Sequence, residues 1–188
     1  SSYAINARNA MNRAMDDAII DVALATVYGG VDGSTSYAFD STNYAIANGS
    51  TGMTLAKLRS AKQKLDAGEV DDEDRYVVCG SKQIYDLLGD TTITSGDYNT
   101  VKALVNGDID TFLGFKFIRS ERLNVASSVR SCFAWQKNSL LLGIGIDVIV
   151  DVGPRRDKNM ATQVYLGMSI GATRMDEKGV VQIDCLES

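Results

Sequence analysis

Histidine is absent from the 188 residues, and with it go Ser-His-Asp and Cys-His catalysis, imidazole metal ligation and a histidine pH switch. Cysteine is scarce: Cys79, Cys132 and Cys185 lie far apart and are odd in number, which excludes a disulfide framework and a CxxC zinc or redox motif. Each sits in an apolar, strand-like run and is expected to be a buried small hydrophobe, in a chain suited to a reducing compartment. Positive charge is in deficit, 19 Lys and Arg against 24 Asp and Glu, for a net −5. No global field therefore holds nucleic acid by counterion release, although a local basic patch stays open. Long apolar runs are missing too. The longest, Leu140 to Ile146, falls far short of the ~20 residues that span a bilayer, and no basic-then-apolar leader opens the sequence. Membrane insertion and secretion find no support in it.

What is present is 45% hydrophobic and 23% charged, enough for one core or two small ones. From Tyr3 to Val27 the residues Ala4, Ala7, Met11, Ala14, Ala18, Val22 and Ala25 recur at spacings of three and four, the stripe of an amphipathic helix. Asn6, Asn9, Arg13, Asp16, Asp17 and Asp21 line its other side. At ~1.5 Å per residue this is a beam of roughly 37 Å. Position 1 is serine, the first methionine is Met11 and the periodicity is already under way, so the chain reads as a fragment or a processed product.

Tyr28 to Gly52, with Gly29, Gly30, Gly33, Gly49 and Gly52 among Ser, Thr and Asn, reads as loop and turns with short strands at Tyr37–Phe39 or Tyr44–Ala47. No Walker-type lysine follows these glycines, so no phosphate cradle is expected. Thr54 caps a second helix through Ala67, with Leu55, Leu58, Ala61 and Leu65 on its apolar face and Gly68 as a left-handed stop. The acidic run Glu69 to Asp74 lacks the alternating ligands and central glycine of a calcium loop and reads as a solvated turn.

Arg75 to Cys79 reads as a buried strand, Ser81 caps a helix over Lys82–Leu88, and Asp97 caps another over Tyr98–Val105. Extended segments Asp110–Leu113 and Phe115–Ile118 flank a tight bend at Gly114. A charged loop of Arg119, Glu121 and Arg122 follows, then a strand Ser131–Gln136, a short apolar turn or helix Ser139–Gly143 and a β-branched strand Asp147–Val152. Gly143-Ile144-Gly145 lacks the third glycine of a dinucleotide fingerprint. Beyond the polar break Gly153–Lys158, Ala161–Met175 and Gly179–Cys185 read as one long terminal hairpin over 161–185. Leu58 and Val148 are expected in a core, where an aspartate would be an unpaired buried charge.

In this order, the segments ARNAMNRAMDDAIIDVAL, TLAKLRSAKQKLDAG, RYVVCGSKQIYDLLGD, FLGFKFIRSERLN and ATQVYLGMSIGATRMDEKGVVQIDC resemble the major capsid proteins of tailed bacteriophages with the Hong Kong 97 fold. The resemblance runs over nearly the whole chain and rests on the order of the segments, none of which is a catalytic motif. It implies an α+β fold in which 3–27 is the spine helix of a peripheral domain, 1–53 and 154–188, closed by the terminal hairpin. The mixed α/β axial domain is then 54–153. The arm and extended hairpin loop that precede the spine helix in that family are not in this sequence, so this polypeptide alone is not expected to close shells.

The function implied is that of a major capsid subunit of a tailed phage or prophage, located in the virion capsid and in the bacterial host cytoplasm during assembly. Pentamers and hexamers of itself would form an icosahedral shell around DNA. Scaffolding and portal proteins are the further partners implied, with no strong sequence-specific nucleic-acid binding, no membrane, no cofactor and no metal. Subunit-interface residues are then expected among the exposed charges: Arg13, Asp16 and Asp17 on the helix, Arg119, Glu121 and Arg122 in the charged loop, and Arg155 and Arg156 in the basic turn. A cargo-enclosing shell or another virion binding module of the same fold is the alternative. An enzyme would have to draw its acid and base from Asp71, Asp72, Glu73 and Asp74, a run without an apolar pocket to shift a pKa.

Overall fold

Leu58, Ala61 and Leu65 recur at helical spacing, and all three are fully buried in a computed structural model that describes residues 2–89 and 111–187. They lie on α3 (Leu55–Ala67), which starts where the Thr54 side chain accepts the Lys57 N–H. Its end differs from the expectation. Gly68 keeps a right-handed conformation, and Glu69, at φ 57°, takes the left-handed position. The Val70 N–H reaches back to the Leu65 carbonyl and the Glu69 N–H to that of Asp66, a Schellman closure set one residue later than the glycine.

α3 packs with α4 (Ser81–Gly89) on one face of a mixed sheet. That face carries Val77 and Cys79 of β4 (Arg75–Cys79), Cys132 and Ala134 of β8 (Val129–Gln136), and Val181, Ile183 and Cys185 of β11 (Val180–Leu186). The sheet runs in the order β3-β11-β8-β4-β6-β5, with β3 at Ala45–Ile46, β5 at Thr111–Phe112 and β6 at Phe115–Arg119. β7 (Val125–Ala126) hydrogen-bonds to β8 beside this path. The β5–β6 hairpin turns through Leu113 and Gly114, both at positive φ, as a two-residue loop of matching twist requires. Ser81 lies inside α4 rather than capping it. The Gln83 side chain accepts the Gly80 N–H at 3.1 Å, which shifts the cap to Gly80. The helix expected over Tyr98–Val105 lies outside the described residues.

Two strand pairings depart from the sequence reading. The 161–185 hairpin is not formed: β10 (Ala161–Arg174) pairs antiparallel with β9 (Leu140–Arg155) in a two-stranded ribbon, while β11 enters the large sheet between β8 and β3. The physical reason is burial, because Val181, Ile183 and Cys185 are wholly enclosed only against the helices, whereas β9 matches β10 in length and apolar alternation. The expected turn or helix at 139–143 is instead a 3-10 turn, Lys137–Ser139, leading into continuous strand. That strand runs through Pro154, opposite Thr162. A two-stranded ribbon has only edges, where a missing N–H costs little.

α1 (Ser2–Ala23) stops four residues before Val27 and packs along β10. A small hairpin follows, β1 (Val27–Gly29) with β2 (Thr35–Tyr37), and then a single turn, α2 (Ser41–Tyr44), capped by the Asp40 carboxylate. All three cysteines are buried, as expected, and burial pushes the Cys79 thiol up to about 12. Among the described residues no helix is long and apolar enough to cross a membrane.

Candidate assembly surface

The ribbon alternates two unlike faces. Val148, Val150 and Val152 share one side with Val164 and Leu166, as the pairing of Val152 with Val164 and of Val150 with Leu166 shows, and nearer the base Leu142 and Ile144 share it with Ala172 and Ile170; between the two stretches the register shifts and Ile146 comes opposite Ser169. The stretch near Arg174 is covered by α1, and the outer part is not: Val150 and Val152 are 59% and 61% exposed. The opposite side carries Asp151 and Gln163 together with Ile149 and Tyr165. A two-stranded ribbon is marginal in water unless its apolar face is covered. Val148 belongs to this half-covered face, not to the core that the sequence suggested, whereas Leu58 is in the core.

The expected charged interface residues fall into three groups. Asp17 and Arg122, distant in sequence, form a two-pronged ion pair that ties α1 to the turn after β6, and the hydrogen bond from Arg122 holds the Asp17 carboxyl below its usual range. Glu121 accepts the Ser81 N–H and lies 3.0 Å from Arg130, so its pKa is lowered, first by Ser81 and then by Arg130. Arg155 pairs with Asp157 at the ribbon tip. Arg13, Asp16, Arg119 and Arg156 are exposed and have no ion-pair partner among the described residues. The eight residues are therefore spread over the helix, the loop after β6 and the ribbon tip rather than gathered in one patch.

Several organising residues escaped the sequence reading. Lys57 is buried, and its ammonium donates to the carbonyls of Asn48, Thr51, Gly52 and Asp184 at 2.8 to 2.9 Å. Burial lowers its pKa. Arg75 is buried against the Asp66 carboxylate and the carbonyls of Val70 and Asp71, closing the loop between α3 and β4. Arg174 is buried at the base of the ribbon and donates to carbonyls at the end of α1. Arg130 and Gln83 both donate to Glu187, fastening the end of β11 beside α4. A signal existed for the two arginines: Arg75 continues the inward alternation of Val77 and Cys79, and Arg174 that of Ile170 and Ala172. The acidic run is a solvated turn at Asp71 to Glu73, while Asp74 pairs with Lys116 and Lys137. Among the described residues no group of three His, Cys, Asp or Glu side chains is placed to hold a metal ion.

A family profile described as phage capsid protein matches residues 1–187. No curated protein sequence matches the chain. Among solved structures the fold is similar to that of Mycobacterium phage Che8, at 18% identity and a TM-score of 0.65 over 97% of this chain and 63% of the other. The capsid structure of the cyanophage P-SCSP1u is similar at 16% identity and TM-score 0.66, over 100% of this chain and 66% of that one. The capsid of an empty GTA particle is similar at 14% identity and TM-score 0.67, over 98% and 65%. The chain thus spans 63 to 66% of the length of these three solved relatives.

Proposed function

We propose, from the premise that this chain belongs to the phage capsid protein family, that it is a shell-building subunit of a tailed-phage head, whose work is self-association around DNA and not turnover. The observation that carries the reading is the ribbon: its outer apolar face, with Val150 and Val152 59% and 61% exposed, is left without cover by the subunit's own helix. In an assembly a neighbour removes that face from water, at roughly 25 cal/mol for each Å² buried. We assign α1 and the ribbon to the peripheral part and the large sheet with α3 and α4 to the axial part. β11, although last in sequence, lies within that sheet. Arg13, Asp16, Arg119 and Arg156, exposed at three separate places, are the charges we assign to contacts between subunits. Asp17, Arg122 and Glu121 are engaged with partners inside the subunit.

Shell assembly takes place in the host cytoplasm under this reading, with scaffolding and portal proteins as partners. Its test is the oligomeric state of the gene product at full length, by negative-stain electron microscopy with light scattering. Uniform shells holding DNA are the expected result. Shells holding protein would support a cargo container instead, and a monomer that persists with scaffolding protein supplied would overturn the proposal.

A further inference from the structure

The joint between α1, the β1–β2 hairpin and the ribbon is built on one side chain. Arg174 ends β10 and is only 6% exposed. Its Nη1 donates to the carbonyls of Ala25 at 2.8 Å, Ala23 at 3.0 Å and Val22 at 3.5 Å, and its Nη2 to that of Tyr37 at 3.4 Å. The guanidinium also lies over the Phe39 ring, 5.3 Å from its centroid. It accordingly serves carbonyls left over at the helix C-terminus, where a cation is favoured, and at the end of the hairpin, from a position fixed by the ribbon.

Ala23 and Val27 are buried at this joint, whereas the outer side of the hairpin is open. A cavity of about 340 Å³ opens beside Arg174, lined by Val27, Tyr28, Tyr37, Met175 and Glu177 among others. Tyr28 and Tyr37 remain 67% and 53% exposed there. Three carbonyls of graded distance on one Nη also allow partners to be exchanged without stranding the cation in a buried place.

We propose that Arg174 is the pivot that sets the angle between α1 and the ribbon, with the adjoining cavity giving the β1–β2 hairpin room to rock about it. Resting on the capsid reading, this gives one subunit a means of fitting non-identical places in a shell. The inward parity of β10 delivers the side chain, and the end of α1, the connector Leu24–Thr26 and the last residue of β2 bring the carbonyls to it.

The experiment uses the isolated chain and needs no assembly. Spin labels at Asn9→Cys and Thr162→Cys, both exposed while the native thiols are buried, report the α1–ribbon distance, and hydrogen exchange reports the hairpin. In Arg174→Met the distance distribution should broaden. Amides of 27–37 should exchange roughly tenfold faster, the factor expected for one lost charge-assisted hydrogen bond. Arg174→Lys, which keeps the charge without the planar fork, should loosen the hairpin more than the helix end. A folded Met or Lys variant with unchanged distances and exchange would overturn the pivot. If neither variant folds, Arg174 is a folding residue and the pivot is overturned as well. Failure of the full-length protein to build shells, with the distances shifted as expected, would sink the capsid reading and leave the pivot standing.

Discussion

Lys57 concentrates an unusual load in one residue, since four backbone carbonyls from the 48–52 loop and β11 converge on its ammonium. Lys57→Met keeps the stem and strands those acceptors, and we expect a loss of about 2–4 kcal/mol in urea unfolding. A loss under about 0.5 kcal/mol would show that water replaces the ammonium without difficulty. Arg122 is the opposite case. Its pair with Asp17 is more than a third exposed on both sides and screened by water, so Arg122→Ala should shift the urea midpoint of the subunit little, far less than Lys57→Met does. Any larger effect on assembly would then be a contact effect. The thiols give a third residue-scale test: burial holds Cys79 up at about 12, and Cys132 is raised by its hydrogen bond to Cys185 and by burial. A thiol reagent should label neither in the native chain and both once it is unfolded.

At the scale of elements, the placement of β11 separates two architectures by one truncation. In a 161–185 hairpin, removing the last strand would strip only one side of an outlying arm. In the observed sheet β11 is flanked by β8 and β3 and buries Val181, Ile183 and Cys185, so a chain ending at Gly179 should lose cooperative unfolding by circular dichroism. A folded truncation product would refute that placement. The ribbon makes the complementary case. Leu58→Asp should abolish folding because it buries an unpaired charge, whereas Val148→Asp, on the half-covered ribbon face, should leave the subunit folded.

Over the whole molecule, stability should fall on the acid side for a traceable reason. Asp17, Asp74, Glu121 and Glu187 all have folded pKa values below their ordinary 3.8 or 4.5, chiefly through hydrogen bonds from Arg122, Lys116, Ser81 and Arg130 respectively. As pH falls the unfolded chain binds protons first, so the stabilisation is complete above those ordinary values and drains away as pH drops through the folded ones. Urea midpoints across pH should show this limb. Glu121→Gln with Glu187→Gln should flatten it, and an unchanged limb in that double variant would assign acid sensitivity elsewhere.

Much of this was local in origin and therefore legible in the residues. Period-3.6 spacing specified α1 and α3, a short apolar run closed by a glycine specified β4 to the residue, and the absence of histidine closed whole classes of chemistry before any fold was drawn. The order of segments carried the family resemblance. What only the tertiary structure decided was partnership: which strand pairs with β10, where β11 inserts, and which charges meet across the chain. Strand pairing depends on contacts between distant residues and on which face is finally covered, and neither is encoded within any one segment. The buried cations show the same division. Lys57 announces only its charge in sequence, Arg75 and Arg174 add only an inward parity, and the carbonyls that make their burial tolerable come from segments whose course the fold alone sets.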